Sequence, residues 1–232
     1  MRFGLLFALK GCPHLPATSF AKIAVPAMIL LAAGGCSRTG DIDSNGGVGI
    51  TAVRSACPRV GVPAGTGDVT LFDPANSREA QAIDVVANIT NVASTCDDAG
   101  EQVRTNVTFD VFARRRDAGA ARDVTLPFFI TVVRGGSSVT AKRVSQVTLH
   151  FEAGQIRAST TGQASSSVSR AAATLPAEVR ERLNRKRKAG EEAAAMDPLA
   201  DPAIRSAVAS ATFEALVGFQ LTEDQLKYNA TR

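Results

Sequence analysis

The stretch "VRTNVTFDVFA", Val103 to Ala113, decides the fold class because apolar and polar side chains alternate along it. Successive side chains of a β-strand point to opposite faces, so this alternation indicates a strand with one buried face and one solvated face. Such a strand belongs to an antiparallel sheet that packs on a core with one side only. The inward face is expected to carry Val103, Thr105, Val107, Phe109 and Val111.

The same alternation recurs on both sides of this stretch, between segments rich in Gly, Asp, Ser and Pro that are typical of turns. Pro127 favours an edge position or a bulge in its strand, and a bulge between Ala141 and Val147 would restore the register of another. Further strands are predicted in "AIDVVANITNV" (82–92), "DVTLPFFITVV" (123–133), "SVTAKRVSQVTLHF" (138–151) and in the shorter segments 57–62, 69–72 and 155–160. In the first of these, one face is expected to carry Ile83, Val85, Ala87 and Ile89. In the second, one face is expected to carry Val124, Leu126, Phe128, Ile130 and Val132.

Seven closely spaced strands without intervening helices predict an all-β fold, an antiparallel sandwich of two sheets over residues 53–170. The strand layout resembles the immunoglobulin-like domains of the bacterial envelope. The chain contains no tryptophan. The spacing of Cys57 and Cys96 also differs from that of the antibody-type disulfide.

After residue 170 the pattern changes to helical periodicity, which predicts a basic helical linker over 171–200 and a C-terminal helical segment over 201–232. Asp201 and Pro202 have the residue types of an N-cap and a first helical position, and Thr222 with Gln225 fits a capping box. The predicted C-terminal helix buries its apolar stripe against the sandwich or against a partner. That stripe consists of Ile204, Val208, Ala211, Ala215 and Phe219.

The linker carries a dense run of cations with only Glu181 opposing them. One interpretation is contact with an anionic surface, such as lipid head groups or an acidic protein face. The other interpretation is a solvated linker helix without a ligand. The cations are Arg180, Arg182, Arg185, Lys186, Arg187 and Lys188.

The N-terminus has the organisation of an export signal. Three basic residues and no acidic residue precede the apolar run Ile23–Ala33, which is shorter than the roughly 20 residues of a membrane span. The segment "LAAGGC", Leu31 to Cys36, resembles the lipobox of bacterial lipoproteins, although Leu31 stands farther upstream than the usual leucine. Residues 1–35 are therefore predicted as the signal peptide, and 36–52 as a flexible tether.

The resemblance implies that Cys36 becomes the acylated first residue of a lipid-anchored protein. Because Ser37 follows it in place of aspartate, the family pattern implies the outer membrane, with the domain facing the periplasm. Ordinary secretion with cleavage near Ala33 is the alternative. Removal of residues 1–35 leaves 23 basic residues against 22 acidic residues, so the charge does not indicate nucleic-acid binding.

Two cysteines, Cys57 and Cys96, then remain in an oxidising compartment, where a disulfide is the expected state. By the chain-entropy relation, such a bridge contributes about 4 kcal/mol for a loop of about 40 residues. Neither cysteine lies in a CxxC motif or near a histidine, so metal or redox chemistry is the less favoured interpretation.

His150 is the only histidine after Cys36, so a site with several histidines is excluded for the mature chain. No phosphate-binding loop and no serine-hydrolase signature occurs in the mature sequence. We therefore expect a non-enzymatic structural or protein-binding module of the envelope, with no cofactor, no metal and an envelope protein as its partner. The alternative is a periplasm-facing carrier of a small apolar ligand or lipid, with Phe109, Phe128 or Phe129 lining its pocket.

Overall fold

The computed structural model describes residues 55–185 and 196–231. Within them the chain forms eight strands, a short N-terminal pair followed by five strands of 13 to 15 residues and a last one near the C-terminus. The strands are β1 (Arg59–Gly61), β2 (Asp68–Phe72), β3 (Ile83–Asp97), β4 (Gln102–Arg115), β5 (Arg122–Arg134), β6 (Ser138–Phe151), β7 (Arg157–Ser169) and β8 (Phe213–Phe219). The helices are α1 (Arg170–Ala173), α2 (Ala177–Asn184), α3 (Pro202–Ser210) and α4 (Glu223–Thr231).

The strands build two four-stranded sheets, in the orders β1-β8-β5-β6 and β2-β3-β4-β7. All neighbours pair antiparallel except β1 and β8, which run parallel. The prediction of a mainly β chain with antiparallel sheets is therefore confirmed. None of the helices among the described residues has the length and apolar character needed to cross a bilayer.

The two sheets face each other across a shared core. Phe109 of β4 and Phe128 of β5 meet edge to face, with 5.0 Å between the ring centres. The side chains around them come from both sheets and are less than a tenth exposed. They include Val85, Ala87, Val107, Val111, Leu126, Ile130, Val147, Leu149, Phe151, Val217 and Phe219.

The predicted inward faces of β3 and β4 are confirmed. In β4, every second residue from Val103 to Val111 is buried, and Thr105 is as inaccessible as its apolar neighbours. In β3, Val85, Ala87 and Ile89 are buried. The alternation identified these strands because each has one face against the core and one against solvent.

Two details of β5 and β6 differ from the predictions. β5 lies inside its sheet between β8 and β6, so Pro127 does not mark an edge strand. The proline is tolerated because strand pairing with β8 stops at Phe128, one residue away. The bulge in β6 lies at Thr140, between the partners of Val132 and Val133, rather than between Ala141 and Val147.

The C-terminal segment is not wholly helical, which corrects the predicted stripe. α3 ends at Ser210, and Phe213–Phe219 forms β8 in the interior of a sheet. The sequence pattern was misleading because β8 has one buried face and one half-buried face, and the apolar Leu216 on the half-buried face interrupts the polar alternation. Ile204 and Val208 belong to the buried face of α3, whereas Ala215 and Phe219 are buried residues of the strand β8.

The predicted caps of the C-terminal helices are confirmed. The Asp201 carboxylate accepts from the backbone N–H of Ala203 at 2.8 Å, and Pro202 follows in the first turn of α3. Thr222 and Gln225 form the reciprocal capping box ahead of α4. Both helices begin where the sequence indicated.

The predicted disulfide between Cys57 and Cys96 is present, with 6.1 Å between the Cα atoms. Cys57 precedes β1 of one sheet, and Cys96 lies near the end of β3 in the other sheet. The bond therefore links the two sheets at one end of the domain.

Candidate binding cleft

A cleft of about 470 Å³ opens between the two sheets. It lies where β6, the end strand of one sheet, faces β7, the end strand of the other. A smaller hollow of about 80 Å³, bounded by Ala141 and Ser165–Ser167, lies along the same two strands. The cleft is lined by Asn106, Val107, Thr108, Phe128, Ile130, Arg143, Val144, Ser145, Gln163, Ala164 and Ser165.

The floor of the cleft is apolar and comes from the core. Phe128 and Ile130 of β5 project into it from one sheet, and Val107 of β4 projects from the other. Opposite them, β7 presents the small residues Ala164 and Ser166 on its inward face, in register with Val107 and Thr105. These small side chains leave the space above the floor open.

Phe109 lies in the core beside Phe128 and does not itself line the cleft. Its ring lies against Gly162, the residue directly opposite it on β7, and a Cβ at Gly162 would overlap the ring. An aromatic ring across a strand glycine is a known way of covering the missing side chain. The contact fills the core beside Phe128, so the opening begins beyond it.

The outer edge of β7 borders the cleft with unpaired backbone groups. Arg115 N–H donates to the carbonyl of Ile156, and Arg170 N–H donates to the carbonyl of Glu101, so the even-numbered residues of β7 direct their backbone groups towards β4. The odd-numbered residues consequently direct theirs to the other side, where no described strand pairs with β7. At the cleft these residues are Gln163, Ser165 and Ser167.

Arg143 supplies the charge of the cleft. It is in phase with the buried residues Val147 and Leu149 of β6, which places it on the inward side of the strand. Its guanidinium forms no ion pair and no side-chain hydrogen bond with the described residues. The neighbouring Lys142 points to the other face, where its ammonium lies 4.8 Å from the centre of the Phe129 ring.

Two buried hydroxyl groups have no hydrogen-bond partner among the described residues, and one of them, on Ser166, belongs to a residue that lines the smaller hollow. They are Thr105 Oγ1 on β4 and Ser166 Oγ on β7, which occupy opposite positions in the strand pair. Thr105 is only 1% exposed. A buried hydroxyl without a partner costs roughly 1–3 kcal/mol, which a polar group entering from the cleft would offset.

The described cations of the predicted basic run do not line the cleft. Cys36 and three cations of the basic run, Lys186, Arg187 and Lys188, are outside the described residues. Arg180 and Arg185 are exposed on and just after α2. Arg182 donates to the Asp201 carboxylate at 2.9 Å and thereby joins α2 to the start of α3. The run is thus partly engaged within the chain, and its contact with an anionic surface stays a prediction.

The side chain of His150 is more than half exposed. Its Nδ1 lies 2.5 Å from Asp123 Oδ1, and its Nε2 lies 3.5 Å from Glu152 Oε1. The hydrogen bond to Asp123, with a smaller contribution from the charge of Glu152, raises the pKa of His150. No group of three or more potential metal ligands was found among residues 55–185 and 196–231.

The C-terminal helices pack on the domain. The Asn229 side chain of α4 donates to the carbonyls of Gly65 and Asp68, and Tyr228 meets Phe72 of β2 edge to face at 5.1 Å. Ile204 and Val208 of α3 are buried, at 3% and 8% exposure. α4 therefore packs against β2 and the loop before it, and contact of the C-terminal helices with a partner stays a prediction.

No protein-family model, no curated protein and no solved structure matches this chain. Its function therefore has to be inferred from its own residues. Among them, Phe128 was expected to line a pocket and does, whereas Phe109 and Phe129 do not line the cleft. Arg143, Ser166 and the β7 edge were not singled out. The only sequence signal near them was the irregular alternation in "SVTAKRVSQ", which was interpreted as a bulge.

Proposed function

We propose that this chain is a lipid-anchored protein of the bacterial envelope that acts as a non-enzymatic module for binding another envelope protein. The observation that carries the proposal is the cleft between β6 and β7, where an apolar floor, an unengaged guanidinium and an unpaired strand edge converge. Such a combination suits recognition of a partner, because apolar contacts supply affinity and the few polar groups fix its orientation.

The anchor in this proposal is Cys36, on the basis of the lipobox-like "LAAGGC". The tether of residues 36–52 would span about 20–25 Å on average if it behaves as a flexible chain, which is enough to hold the domain near the membrane surface. Anchoring in the outer membrane by the acyl chains, with the domain facing the periplasm, completes the proposed localisation.

The immunoglobulin-like arrangement is part of the same proposal. It is supported by two four-stranded, mostly antiparallel sheets around one core and by a disulfide that links them. The parallel pairing of β1 with β8 supports the inclusion of the C-terminal strand in the same module. The proposed module therefore extends from about residue 55 to residue 231.

A carrier of a small apolar ligand is the second candidate, since a volume of about 470 Å³ lies in the range of ligand pockets. We rank it second because the exposed side chains of Arg143, Val144, Ser145, Gln163 and Ser165 leave the cleft open to solvent. Native mass spectrometry of the purified chain tests it. A co-purifying lipid that is lost in an Ala164→Phe variant, which fills the cleft, would favour the carrier.

Site-specific photo-crosslinking in the producing bacterium tests the leading proposal. A photoreactive residue at Gln163, on the rim of the cleft, is expected to give a discrete crosslinked protein. The control position is Phe112, which is exposed on the outer face of the neighbouring strand β4. Equal crosslinking from both positions, or none from Gln163, would argue against the cleft as the binding site. Loss of radiolabelled palmitate in a Cys36→Ser variant tests the anchor separately.

A further inference from the structure

The backbone at the β7 edge indicates what form of partner the cleft accepts. Gln163, Ser165 and Ser167 each direct an N–H and a C=O away from β4, and the three residues span about 13 Å at the usual rise of a strand. A small apolar ligand would leave these groups to water. An extended peptide would pair with them as an added strand, and main-chain hydrogen bonds would supply much of its affinity.

The floor of the cleft has the spacing that an added strand requires. Phe128, Ile130 and Val132 of β5 are two residues apart, and the first two line the cleft while the last lines the adjoining hollow. Side chains of a strand that face one side recur at the same interval. The small inward residues of β7, Ala164 and Ser166, leave the inward side of an added strand free to receive apolar side chains.

The polar groups indicate the charge of the partner. Arg143 reaches the cleft from the opposite wall, and the described residues offer it no carboxylate. An arginine binds a carboxylate with two parallel hydrogen bonds, so an acidic side chain is the complement it lacks. The hydroxyl of Ser166, buried in the wall without a partner among the described residues, is a further group that an incoming polar atom would satisfy.

We propose that the cleft binds an extended segment of a partner protein, in which apolar residues alternate with polar ones and an acidic side chain meets Arg143. The segment pairs with the outer edge of β7 and lays its apolar side chains on Phe128 and Ile130. This inference rests on the proposed function and specifies its partner.

Selection from a phage-displayed library of random nonapeptides tests the proposal, with the purified full chain as the target. The expected result is enrichment of peptides that alternate apolar and polar residues and contain aspartate or glutamate. In an Arg143→Glu variant, the selected charge is expected to change from acidic to basic. The matched control is Arg104→Glu, which makes the same charge change on the exposed outer face of β4. This control is expected to return the original acidic consensus.

Synthetic versions of a selected peptide then separate backbone pairing from side-chain contact. We expect Arg143→Glu to weaken binding of the acidic peptide at least tenfold, while Arg104→Glu leaves it within twofold. N-methylation at alternate residues of the peptide, which blocks the backbone donors on one edge, is expected to abolish binding when it falls on the edge that faces β7. Circular dichroism checks that each variant keeps its β structure.

Three results would overturn the proposal. One is a selection with no consensus, or with a consensus that Arg143→Glu does not change. Another is saturable binding of decanoate at the cleft without any enriched peptide, which would identify a small apolar anion as the occupant. The third is concentration-dependent dimerisation that an added charge at Ser165 abolishes, which would identify a second copy of the chain. Crosslinking from Gln163 in cells would still report a bound protein if the peptide selection failed, so the two proposals fail separately.

Discussion

The guanidinium of Arg115 lies 5.3 Å from the centre of the Phe151 ring and is held there by backbone carbonyls of two loops. Arg115 is only 3% exposed, and no acidic side chain pairs with it among the described residues. Its hydrogen bonds join the loop after β4 to the connection between β6 and β7. The accepting carbonyls belong to Gly119, Ala120, Glu152 and Gln155, at 2.7 to 3.1 Å.

Arg115→Lys is expected to lower the free energy of unfolding by about 2–4 kcal/mol, because an ammonium group cannot serve four separate carbonyls and leaves several of them buried without a donor. Urea denaturation followed by circular dichroism measures the change. Arg114→Lys is the matched control, since Arg114 is exposed on the same strand. An equal effect of the two substitutions would contradict the structural role of Arg115.

Gly162→Ala is expected to destabilise the domain by about 1–3 kcal/mol, because the new methyl group overlaps the Phe109 ring and forces it against the core. Thermal unfolding of the variant measures the effect. Gly119→Ala serves as control, since a Cβ at Gly119 has no neighbour within 4 Å and the backbone there is not left-handed. A double variant, Gly162→Ala with Phe109→Leu, should recover part of the loss.

Removal of the disulfide by replacing Cys57 and Cys96 with serine is expected to lower the free energy of unfolding by about 4 kcal/mol. The bridge closes a loop over a sequence separation of 39 residues, so the unfolded chain gains that much entropy when the bond is absent. Denaturation with and without dithiothreitol provides the comparison. The reductant should destabilise the wild-type chain and leave the serine variant unchanged; sensitivity of the variant would point to another reducible bond.

Asp201 is expected to make the free energy of unfolding depend on pH in the acidic range. Hydrogen bonds from the backbone N–H of Ala203, and then the neighbouring Arg182, lower the pKa of its carboxyl. Its stabilisation is therefore complete above the pKa of the unfolded chain and is lost as pH falls through the lower pKa of the folded chain. Asp201→Asn keeps a capping oxygen but no longer titrates, so its stability deficit relative to wild type should shrink below about pH 4. A deficit that stays constant down to about pH 2 would contradict this assignment; Asp98→Asn, in an exposed loop, is the control.

The pKa of His150 is raised by its hydrogen bond to Asp123 and by the charge of Glu152. The protonated imidazolium therefore stabilises the fold at pH below the ordinary histidine value, and this contribution disappears as pH rises through the raised pKa. NMR titration of the ring protons should give a pKa that falls in Asp123→Asn. His150 is the only histidine after residue 35, so the assignment in a chain cleaved there is unambiguous. An unchanged titration would show that Asp123 does not hold the ring in solution.

The sequence was most informative where a strand separates core from solvent. The sequence predicted both the strands β3 and β4 and which of their faces is buried. In each strand, apolar residues such as Val85 and Phe109 alternate with polar residues. β8 was assigned to a helix because the apolar Leu216 on its half-buried face interrupts the polar alternation, and a short apolar run then has no period that distinguishes strand from helix. Arg115 was indistinguishable from Arg114 and Arg116 because burial of one of three adjacent arginines depends on which loops fold over it.

The cleft was beyond sequence analysis for a related reason. Its walls belong to end strands of different sheets, and a strand pattern does not specify how far apart two sheet edges stand. The alternation of apolar and polar residues did predict that Phe128 lies on the core face of β5. Arg143 could be identified as a cleft residue only from two observations together. It lies on the inward side of β6, and the facing residues of β7 are small.

The pairing of β1 with β8 has a consequence for how the molecule is made. Arg59 lies beside Glu214 across a sequence separation of 155 residues, so this sheet is completed only by contacts between distant parts of the chain. Contacts of such high sequence separation slow folding. Because synthesis proceeds from the N-terminus, this sheet cannot be completed until residues 213–219 have been made. Until then one edge of β5 is unpaired and can form non-native strand pairs. Synthesis arrested before Phe213 should therefore yield an aggregation-prone product that a chaperone must hold.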